Sequence, residues 1–484
     1  MKTIKTLLAP SLGFVAVLGF LAGGPPGQAQ GSLLPPGPPA PSMKTLEQIE
    51  PRRLISALPY TITAAGSYYL TTNLSGSVAQ DGIIVQADNV TLDLNGFALL
   101  GAIGSSNGIT CATSGQNLTV RNGTICHWGT HGIDFSTTVN SRFERLNVYT
   151  NGGWGIHAGN QALVEACQAT GNANTGIQTG PASRVRNCLT AHNGGHGVFV
   201  GTGGNVIECT AQGNGIDGIS GEAGARITGS ISRQNLRHGF SGTSNLLVSA
   251  CSAQGNRSRG VSLGDGAGVS GTVATTNADA GIYVGNTARV SDCTARANVG
   301  DGIRAGSSAE IADTTAGSNQ GRGIVAEGGS GVKACLATGN TGVGIQLGNS
   351  ARVSDCQVQG NSPGGIFVGN GSTVSECSAQ NNGGDGIRVS TECLVLSNHC
   401  HGNDNVIDSA GIHATGAKNQ IRDNSVTSNV RGVSLDVDGN FVARNLASNN
   451  TINYRRTPSQ TMGTVLTSLD DPATSGEPWA NFAF

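Results

Sequence analysis

The sequence predicts an all-β protein, a right-handed parallel β-helix solenoid of about 16–17 coils with three short strands per coil. First, a Gly followed by Ile, Val or Phe recurs every twenty-one residues, and Val or Ile always stands nine residues after it. Second, Asn always stands seventeen residues after it. The Gly positions are Gly155, Gly176, Gly197, Gly218, Gly239, Gly260, Gly281, Gly302, Gly323, Gly344, Gly365 and Gly386.

Composition and unit length support the same fold. The chain has 75 glycines but only 4% aromatic residues, which is too few large apolar side chains for an ordinary globular core of 484 residues. The spacing from one repeat Gly to the next is too short for a helical repeat, which needs a longer unit with two helices. Short β-branched stretches separated by Gly, Asn and Ser instead predict strands. Identical positions would then stack at the interstrand spacing of about 4.8 Å.

Each ladder of equivalent residues has an expected role in this solenoid. The Ile and Val ladders are predicted to point inward and to form the apolar core. The Asn ladder is predicted to be structural, because stacked amides can satisfy buried turn backbone. Cysteine recurs twelve residues after the repeat Gly and is replaced there by Ser or Thr, as at Ser230 and Thr272. This interchange predicts a packing ladder, and oxidation of adjacent pairs such as Cys167 and Cys188 stays open.

The chain is expected to divide into five segments. These are a signal peptide (1–29), a Pro-rich spacer (30–42), an N-terminal cap with a short helix and strands (43–80), the β-helix (81–450), and a C-terminal cap (451–484). The basic start, the apolar stretch and the small residues before Ala29 indicate cleavage after Ala29. An uncleaved membrane anchor is the alternative. Without it, no membrane span is expected, and the protein would be secreted, periplasmic or on the cell surface.

Charge and composition exclude some functions. The formal net charge of −2 and the absence of a basic cluster argue against nucleic-acid binding. No metal and no cofactor are expected from the sequence, and the oligomeric state is not determined by it.

Two clusters are candidates for catalysis. His196, Asp217 and His238 directly precede the repeat Gly on three consecutive coils, about 5 Å apart, and a carboxylate between imidazoles suits acid–base chemistry. A structural alternative is that a solvated column simply avoids stacked like charges. The second cluster is Asp134 and His157, both two residues after the repeat Gly on adjacent coils.

Aromatic and basic side chains along the outer surface are candidates for sugar binding. An indole beside polar groups suits stacking on a saccharide, although single surface aromatics are also common. The expected substrate-binding residues are Trp154, Phe199, Tyr283, Arg304 and Phe367.

These patterns resemble the right-handed parallel β-helix repeat proteins of the pectin-lyase-like superfamily, over roughly residues 60–450. KNQIRDNSVTSN (Lys418–Asn429) is similar to repeats of periplasmic copper-processing β-helix proteins. PYTITAAGSYYLTTNLSG, followed by DGIIVQADNVTLDLNGFAL, resembles the first coils of uncharacterised secreted bacterial members. The resemblance implies polysaccharide lyases, glycosidases, uronate epimerases or adhesins. Gly195-His196-Gly197 matches a polygalacturonase element, but the other elements of that family are absent.

We therefore expect an exported β-helix that binds a polysaccharide on its outer face. Whether it also processes the polymer, as a lyase, epimerase or glycosidase, stays open. The alternative is a non-catalytic cell-surface or adhesive scaffold, and a copper-handling role is a third hypothesis. The twelve regular coils contain no insertions from which a deep cleft could be built.

Overall fold

The protein is a right-handed parallel β-solenoid of about 19 coils, which confirms the predicted fold class. The computed structural model describes residues 49–111, 113–403, 407–467 and 477–484. The chain divides into two units, Met1–Pro51 and Arg52–Phe484, and all strands of the described residues belong to the second. The predicted signal peptide, the spacer and residues 43–48 of the predicted N-terminal cap lie outside the described residues. The described residues contain 57 β-strands.

One sheet, which we call face 1, contains one strand from each of the 19 coils, and neighbouring strands are parallel. Its strands begin directly after the repeat Gly in the regular coils. They are Tyr60–Ile62, Ile83–Val85, Ile109–Cys111, Ile133–Val139, Ile156–Asn160, Ile177–Thr179, Val198–Val200, Ile219–Gly221, Phe240–Gly242, Val261–Leu263, Ile282–Val284, Ile303–Ala305, Ile324–Ala326, Ile345–Leu347, Ile366–Val368, Ile387–Val389, Ala410–Ala414, Arg431–Leu435 and Ile452–Arg455.

The other two faces together form one sheet of 38 strands. They count as one sheet because two strands bend from one face to the other and pair in both. The shared strands are Thr119–Cys126 and Arg142–Tyr149. The other strands of face 2 are Arg53–Ile55, Gly66–Leu70, Val90–Asp93, Leu163–Glu165, Arg184–Arg186, Asn205–Ile207, Arg226–Thr228, Leu247–Ser249, Gly268–Ser270, Arg289–Ser291, Glu310–Ala312, Gly331–Lys333, Arg352–Ser354, Thr373–Ser375, Leu394–Leu396, Gln420–Arg422, Phe441–Ala443 and Thr461–Met462. Those of face 3 are Leu74–Ser75, Ala98–Leu100, Gln168–Thr170, Leu189–Ala191, Thr210–Gln212, Ile231–Arg233, Ser252–Gln254, Val273–Thr275, Thr294–Arg296, Thr315–Gly317, Leu336–Thr338, Gln357–Gln359, Ser378–Gln380, His399–His401, Ser425–Thr427, Leu446–Ser448, Val465–Leu466 and Asn481–Ala483.

The predicted number of coils, 16–17, is two to three too low. The additional coils place Tyr60–Ile62 and Ile452–Arg455 on face 1, where they pair in parallel with their neighbours. In these coils Pro59 and Asn453 stand where the repeat has Gly, so the marker residue used to count coils is absent. Strands of the solenoid therefore occupy parts of the segments that were expected to be caps.

The core is built from the predicted ladders. On face 1, residues one and three positions after the repeat Gly point inward, and the residue between them points outward, as in Ile303–Ala305. On face 2 the inward ladder runs through residues such as Val290 and Ile311, which pair directly and are almost fully buried. Because the side chains of a strand alternate between its two sides, every second residue is left for the outer surface.

Asparagine side chains hold the turn that leads into face 1. In Asn298, for example, Nδ2 donates to Oδ1 of Asn319 at 3.0 Å and to the carbonyl of Ala274 at 3.1 Å. This turn explains the repeat glycine, because a Cβ atom on Gly281 would lie 2.6 Å from Nδ2 of Asn298 and 2.8 Å from the carbonyl oxygen of Gly302. The strict period of the sequence thus comes from a turn in which an amide and a glycine backbone touch.

Eight of the twelve cysteines form a packing ladder twelve residues after the repeat Gly, and Cys111, Cys126, Cys393 and Cys400 lie at other positions. All twelve lie within the described residues, and each is a buried free thiol. Cys188, for example, donates weakly to the carbonyl of Arg186 at 3.2 Å. Burial raises the pKa of the Cys251 and Cys293 thiols to about 11. These thiols are therefore protonated at neutral pH and pack as small apolar groups.

Candidate functional site

A groove runs along face 1, parallel to the solenoid axis, where three serines follow one another on successive coils. Ser220, Ser241 and Ser262 occupy the outward position of their strands and pair in register. Phe199 stands in the same column on the preceding coil and Tyr283 on the following coil. The four coil steps between the two rings span roughly 19 Å at the interstrand spacing. Small hydroxyl side chains between two large rings produce a trough, and its part from Phe199 to Ser262 has a volume of about 420 Å³.

The walls of the groove are polar. Besides Phe199 and the serines, the residues that line it are Gly221, Glu222, Arg237, His238, Gly242 and Thr243. Glu222 accepts hydrogen bonds from the backbone N–H of Thr202 at 3.1 Å and from its hydroxyl at 2.9 Å. The groove therefore offers hydroxyls, a carboxylate, a guanidinium and an imidazole around a floor of small residues.

Asp217 lies beneath this groove, and its side chain is fully buried. The carboxylate accepts hydrogen bonds from Arg237 Nε at 2.7 Å and Nη2 at 2.5 Å, and from the Ser241 hydroxyl at 2.6 Å. It also accepts one from the backbone N–H of His238 at 3.0 Å. Burial alone would raise its pKa, but the bonds from Arg237 and Ser241 outweigh burial and hold the pKa below its usual value. Asp217 is thus an ionised group whose oxygens already have partners.

The two histidines predicted to flank Asp217 are both near it but differ in contact. His196 Nδ1 lies 3.5 Å from Asp217 Oδ2, whereas His238 meets Asp217 through its backbone. His238 Nδ1 accepts the backbone N–H of Arg259 at 3.3 Å, so the ring is neutral and carries its proton on Nε2. Burial lowers the pKa of both imidazoles. The structure brings the three residues together, and their acid–base role stays a prediction.

The column that directly precedes the repeat Gly has a structural function that was not foreseen. In at least eight coils the side chain at this position accepts the backbone N–H of the same position on the next coil. The acceptors are Asp81, Asn107, His131, Thr175, Asp217, His238, Asp301 and Asp385. This need for an acceptor explains why the position holds Asp, Asn, His or Thr so often.

The second predicted cluster is also assembled by the fold. Asp134 and His157 pair in register on adjacent strands, with His157 Nδ1 3.3 Å from Asp134 Oδ1. This contact lowers the pKa of Asp134 to about 2. The Trp154 ring packs against His157 at 4.2 Å and against His131 at 4.4 Å between centroids. Trp154 is therefore half-buried between imidazoles and not the free stacking platform that was expected.

The predicted sugar-binding residues fall into separate places on face 1. Phe199 and Tyr283 bound the serine groove, and Arg304 lies one coil beyond Tyr283. The guanidinium of Arg259 covers one side of the Tyr283 ring at 3.8 Å from its centroid. Phe367 lies four coils beyond Tyr283, in a second, smaller depression of about 260 Å³ that Gln346 and Arg388 also line.

A third polar cluster, near the C-terminal end of face 1, was missed as a unit. His413 Nδ1 is 2.8 Å from Asp385 Oδ2, and its Nε2 is 2.9 Å from Asp436 Oδ2. Asp436 also binds Arg455 at 2.8 Å. Burial alone would lower the pKa of His413, but the two carboxylates outweigh it and raise the pKa. Asp385 belongs to the column before the repeat Gly, whereas His413 and Asp436 lie two and four residues after it, so no single column of the sequence contains the cluster.

Two further observations limit the kinds of site. Among the described residues, no three His, Cys, Asp or Glu side chains are grouped so that they could hold a metal ion. In the same part of the chain, no helix has the length and apolar character needed to cross a membrane.

Comparison with known proteins identifies the family. The family described as "Right handed beta helix region" matches residues 77–231, 220–353 and 341–462, which is most of the chain. The chain belongs to this right-handed β-helix family. No curated protein matches the chain. The family fold accounts for the ladders and turns described above.

Solved structures with a similar fold include the Dettilon tailspike protein, with a TM-score of 0.32 and 11% identity over 66% of this chain and 61% of the tailspike chain. They also include the A-module of the mannuronan C-5 epimerase AlgE4 from Azotobacter vinelandii, with a TM-score of 0.26 and 14% identity over 82% and 91%. A third is the periplasmic alginate epimerase AlgG, with a TM-score of 0.21 and 10% identity over 78% of each chain. These similarities concern the right-handed β-helix fold alone.

Proposed function

We propose that the chain binds a polysaccharide along face 1, in the groove between Phe199 and Tyr283. The observation that carries this proposal is the row of Ser220, Ser241 and Ser262 between the two rings. Hydroxyls at the floor of a groove can exchange hydrogen bonds with sugar hydroxyls, and aromatic rings pack against the apolar faces of sugar rings.

The direction of the groove suits a polymer. The serines repeat once per coil along the axis of the solenoid, at intervals of about 4.8 Å. The Ser241 hydroxyl donates to Asp217, so towards a sugar it can only accept a hydrogen bond. A polysaccharide also repeats its hydroxyl groups along one axis. An extended chain that lies parallel to the solenoid axis can therefore make similar contacts at successive coils, and its affinity grows with the number of units bound.

Filling the groove tests this proposal. In Ser262→Trp an indole would occupy the floor beside Tyr283, and we expect polysaccharide binding to weaken by about tenfold or more, equal to about 1.4 kcal/mol. The matched control is Ser252→Trp, because Ser252 is also a half-buried outward serine but lies on face 3. Binding is measured by affinity electrophoresis through gels that contain each polysaccharide. Equal loss of binding in both variants, or in neither, would contradict the assignment of the groove.

For processing of the bound polymer, the best-placed residues are Asp134 and His157. A carboxylate that contacts one nitrogen of an imidazole can orient the ring so that its other nitrogen accepts a proton from substrate. Both side chains are partly accessible, with 28% of Asp134 and 17% of His157 exposed. They share the outward column of Phe199, with His157 two coils and Asp134 three coils away from it.

The test for processing is release of new reducing or unsaturated ends from a polysaccharide panel. We expect Asp134→Asn to remove this activity, while the control Asp292→Asn, an exposed acid between faces 2 and 3, keeps it. Polymer binding without new ends in the wild-type chain would favour the second candidate function, a non-catalytic scaffold. The acceptor column supports that candidate, because it gives Asp217 and His238 a structural reason to be present.

We also propose that the chain is exported and cleaved after Ala29, on the basis of the sequence pattern of residues 1–29. The test is the intact mass and N-terminal sequence of the protein recovered outside the cytoplasm. A mature chain that begins at Gln30 supports the proposal, and a chain that retains Met1 contradicts it.

A further inference from the structure

The charges around the serine groove indicate what kind of polysaccharide it takes. This inference rests on the proposed function, and it concerns the same site. The evidence consists of the charged side chains that line the groove or lie directly beside it, and of the partners that the cationic ones have. A site for a polyanionic chain needs cationic groups that are free to meet the charges of the polymer.

Both arginines at the groove are already paired. Arg237 donates two hydrogen bonds to the buried carboxylate of Asp217. Arg259 Nε lies 3.1 Å from Asp279 Oδ2, and its Nη1 donates to the Ser262 hydroxyl at 3.3 Å. Neither guanidinium therefore brings an uncompensated positive charge to the groove.

The remaining ionisable groups add no positive charge to the floor. The ring of His238 is neutral, because its Nδ1 accepts a backbone N–H. Glu222 lines the groove and accepts hydrogen bonds from Thr202. Among the described residues, no salt bridge joins Glu222 to a cation. Asp265 is an exposed acid in the turn that follows Val261–Leu263. Arg304 lies one coil beyond Tyr283, on the side of that residue away from the serines.

We propose that the groove takes an uncharged polysaccharide, a polymer of neutral hexose units, and discriminates against polyuronates and sulfated chains. Hydroxyl groups and ring faces supply contacts to a neutral sugar at each coil. A polyanion would meet the carboxylate of Glu222 and no free cation along the floor, and like charge at close range costs binding energy. The selectivity comes from charge balance and not from the shape of the groove.

The experiment compares neutral and anionic polymers of similar length. The purified chain is titrated with a glucan, a mannan and a galactan, and with polygalacturonate and polymannuronate, at about 0.02 M and about 0.5 M salt, which changes charge screening strongly. We expect at least one neutral polymer to bind about tenfold more tightly than either polyuronate, with less than about a twofold change across this salt range. Tighter binding of a polyuronate that weakens with salt would overturn the inference and leave polysaccharide binding intact. Absence of binding to every polymer would overturn the proposed function and this inference together.

A charge variant tests the cause directly. Asp279→Asn removes the partner of Arg259 at a position where the aspartate side chain is 48% exposed, so the fold should tolerate it. We expect polyuronate binding to increase by about three- to tenfold, with neutral-polymer binding unchanged. The control Asp313→Asn changes net charge equally, on the exposed turn between faces 2 and 3. An increase in both variants, or in neither, would show that pairing of Arg259 is not what excludes polyanions.

Discussion

Two polar clusters on face 1 have opposite charge arrangements. In the first, Asp217 is buried beneath Arg237, and the neighbouring His196 and His238 have lowered pKa values. In the second, His413 lies between Asp385 and Asp436 and has a raised pKa. The first cluster therefore stabilises an ionised carboxylate and neutral histidines. The second cluster stabilises a protonated histidine.

The contrast shows that the repeat determines where a side chain lies and that its neighbours determine its charge. His196 and His238 share one carboxylate, which is already bound to an arginine, so a proton on either ring gains little attraction. Because the charged ring would also lose its hydration, burial determines the direction of the pKa shift. A histidine with a carboxylate at each nitrogen gains two charge-assisted hydrogen bonds, which outweigh burial. The same face can thus carry groups with opposite pH responses.

The largest expected effect is the loss of the buried carboxylate. In Asp217→Ala the Ser241 hydroxyl and the His238 backbone N–H lose their acceptor, and Arg237 loses its partner. We expect destabilisation by about 2 to 4 kcal/mol, the range for unsatisfied buried polar groups and a broken ion pair. Midpoints of chemical denaturation at pH 7 measure it. A change as small as that of Asp279→Asn would show that Asp217 is not the anchor of this cluster.

The second effect is a loss of stability as pH rises. The folded pKa of His413 lies above its ordinary value of 6.5, so its stabilising contribution is complete below pH 6.5 and is lost as pH rises through the folded pKa. Two bonds to a charged group suggest a contribution of about 1 to 3 kcal/mol. Melting temperatures at intervals from pH 6 to pH 9 should fall for the wild type, and His413→Gln should be lower at pH 6 and flatter across the range. A wild-type slope retained in His413→Gln would place the titrating group elsewhere.

The first cluster should show a smaller effect of opposite sign. Because burial lowers the folded pKa of His196 and His238 below 6.5, the unfolded chain binds more protons, and stability is lost as pH falls below 6.5 through the folded pKa. We expect the double variant His196→Gln, His238→Gln to melt at more nearly constant temperature between pH 7 and pH 5. Equal acid sensitivity in the variant and the wild type would contradict this assignment.

The smallest effect is expected at an exposed ion pair. Arg289 and Glu310 pair across two coils of face 2 with side chains 77% and 66% exposed. Surface pairs of this kind contribute about 0 to 1 kcal/mol, so Arg289→Ala should be nearly neutral in chemical denaturation. A loss comparable to that of Asp217→Ala would mean that burial is not what separates the two kinds of pair.

Much of the fold was predictable because the repeat is strict. The strand ladders, the Asn turns and the Cys packing ladder each follow from one residue type recurring at one position. The coil count was too low because Pro59 and Asn453 replace the marker Gly, although the backbone there pairs as in every other coil. Sequence also placed His196, Asp217 and His238 on adjacent coils, and Asp134 beside His157.

The sequence by itself determined the solenoid, its register and which residues face outward, because a constant period maps each residue to a position and each position to a direction. Only the tertiary structure decided that Asp217 is saturated by Arg237 and Ser241, that Trp154 is packed between imidazoles, and that Arg259 is paired with Asp279. These outcomes depend on side-chain reach and hydrogen-bond partners between neighbouring coils. Hydrogen-bond distances of about 3 Å between long side chains are set by packing in three dimensions, and no spacing along the chain specifies them.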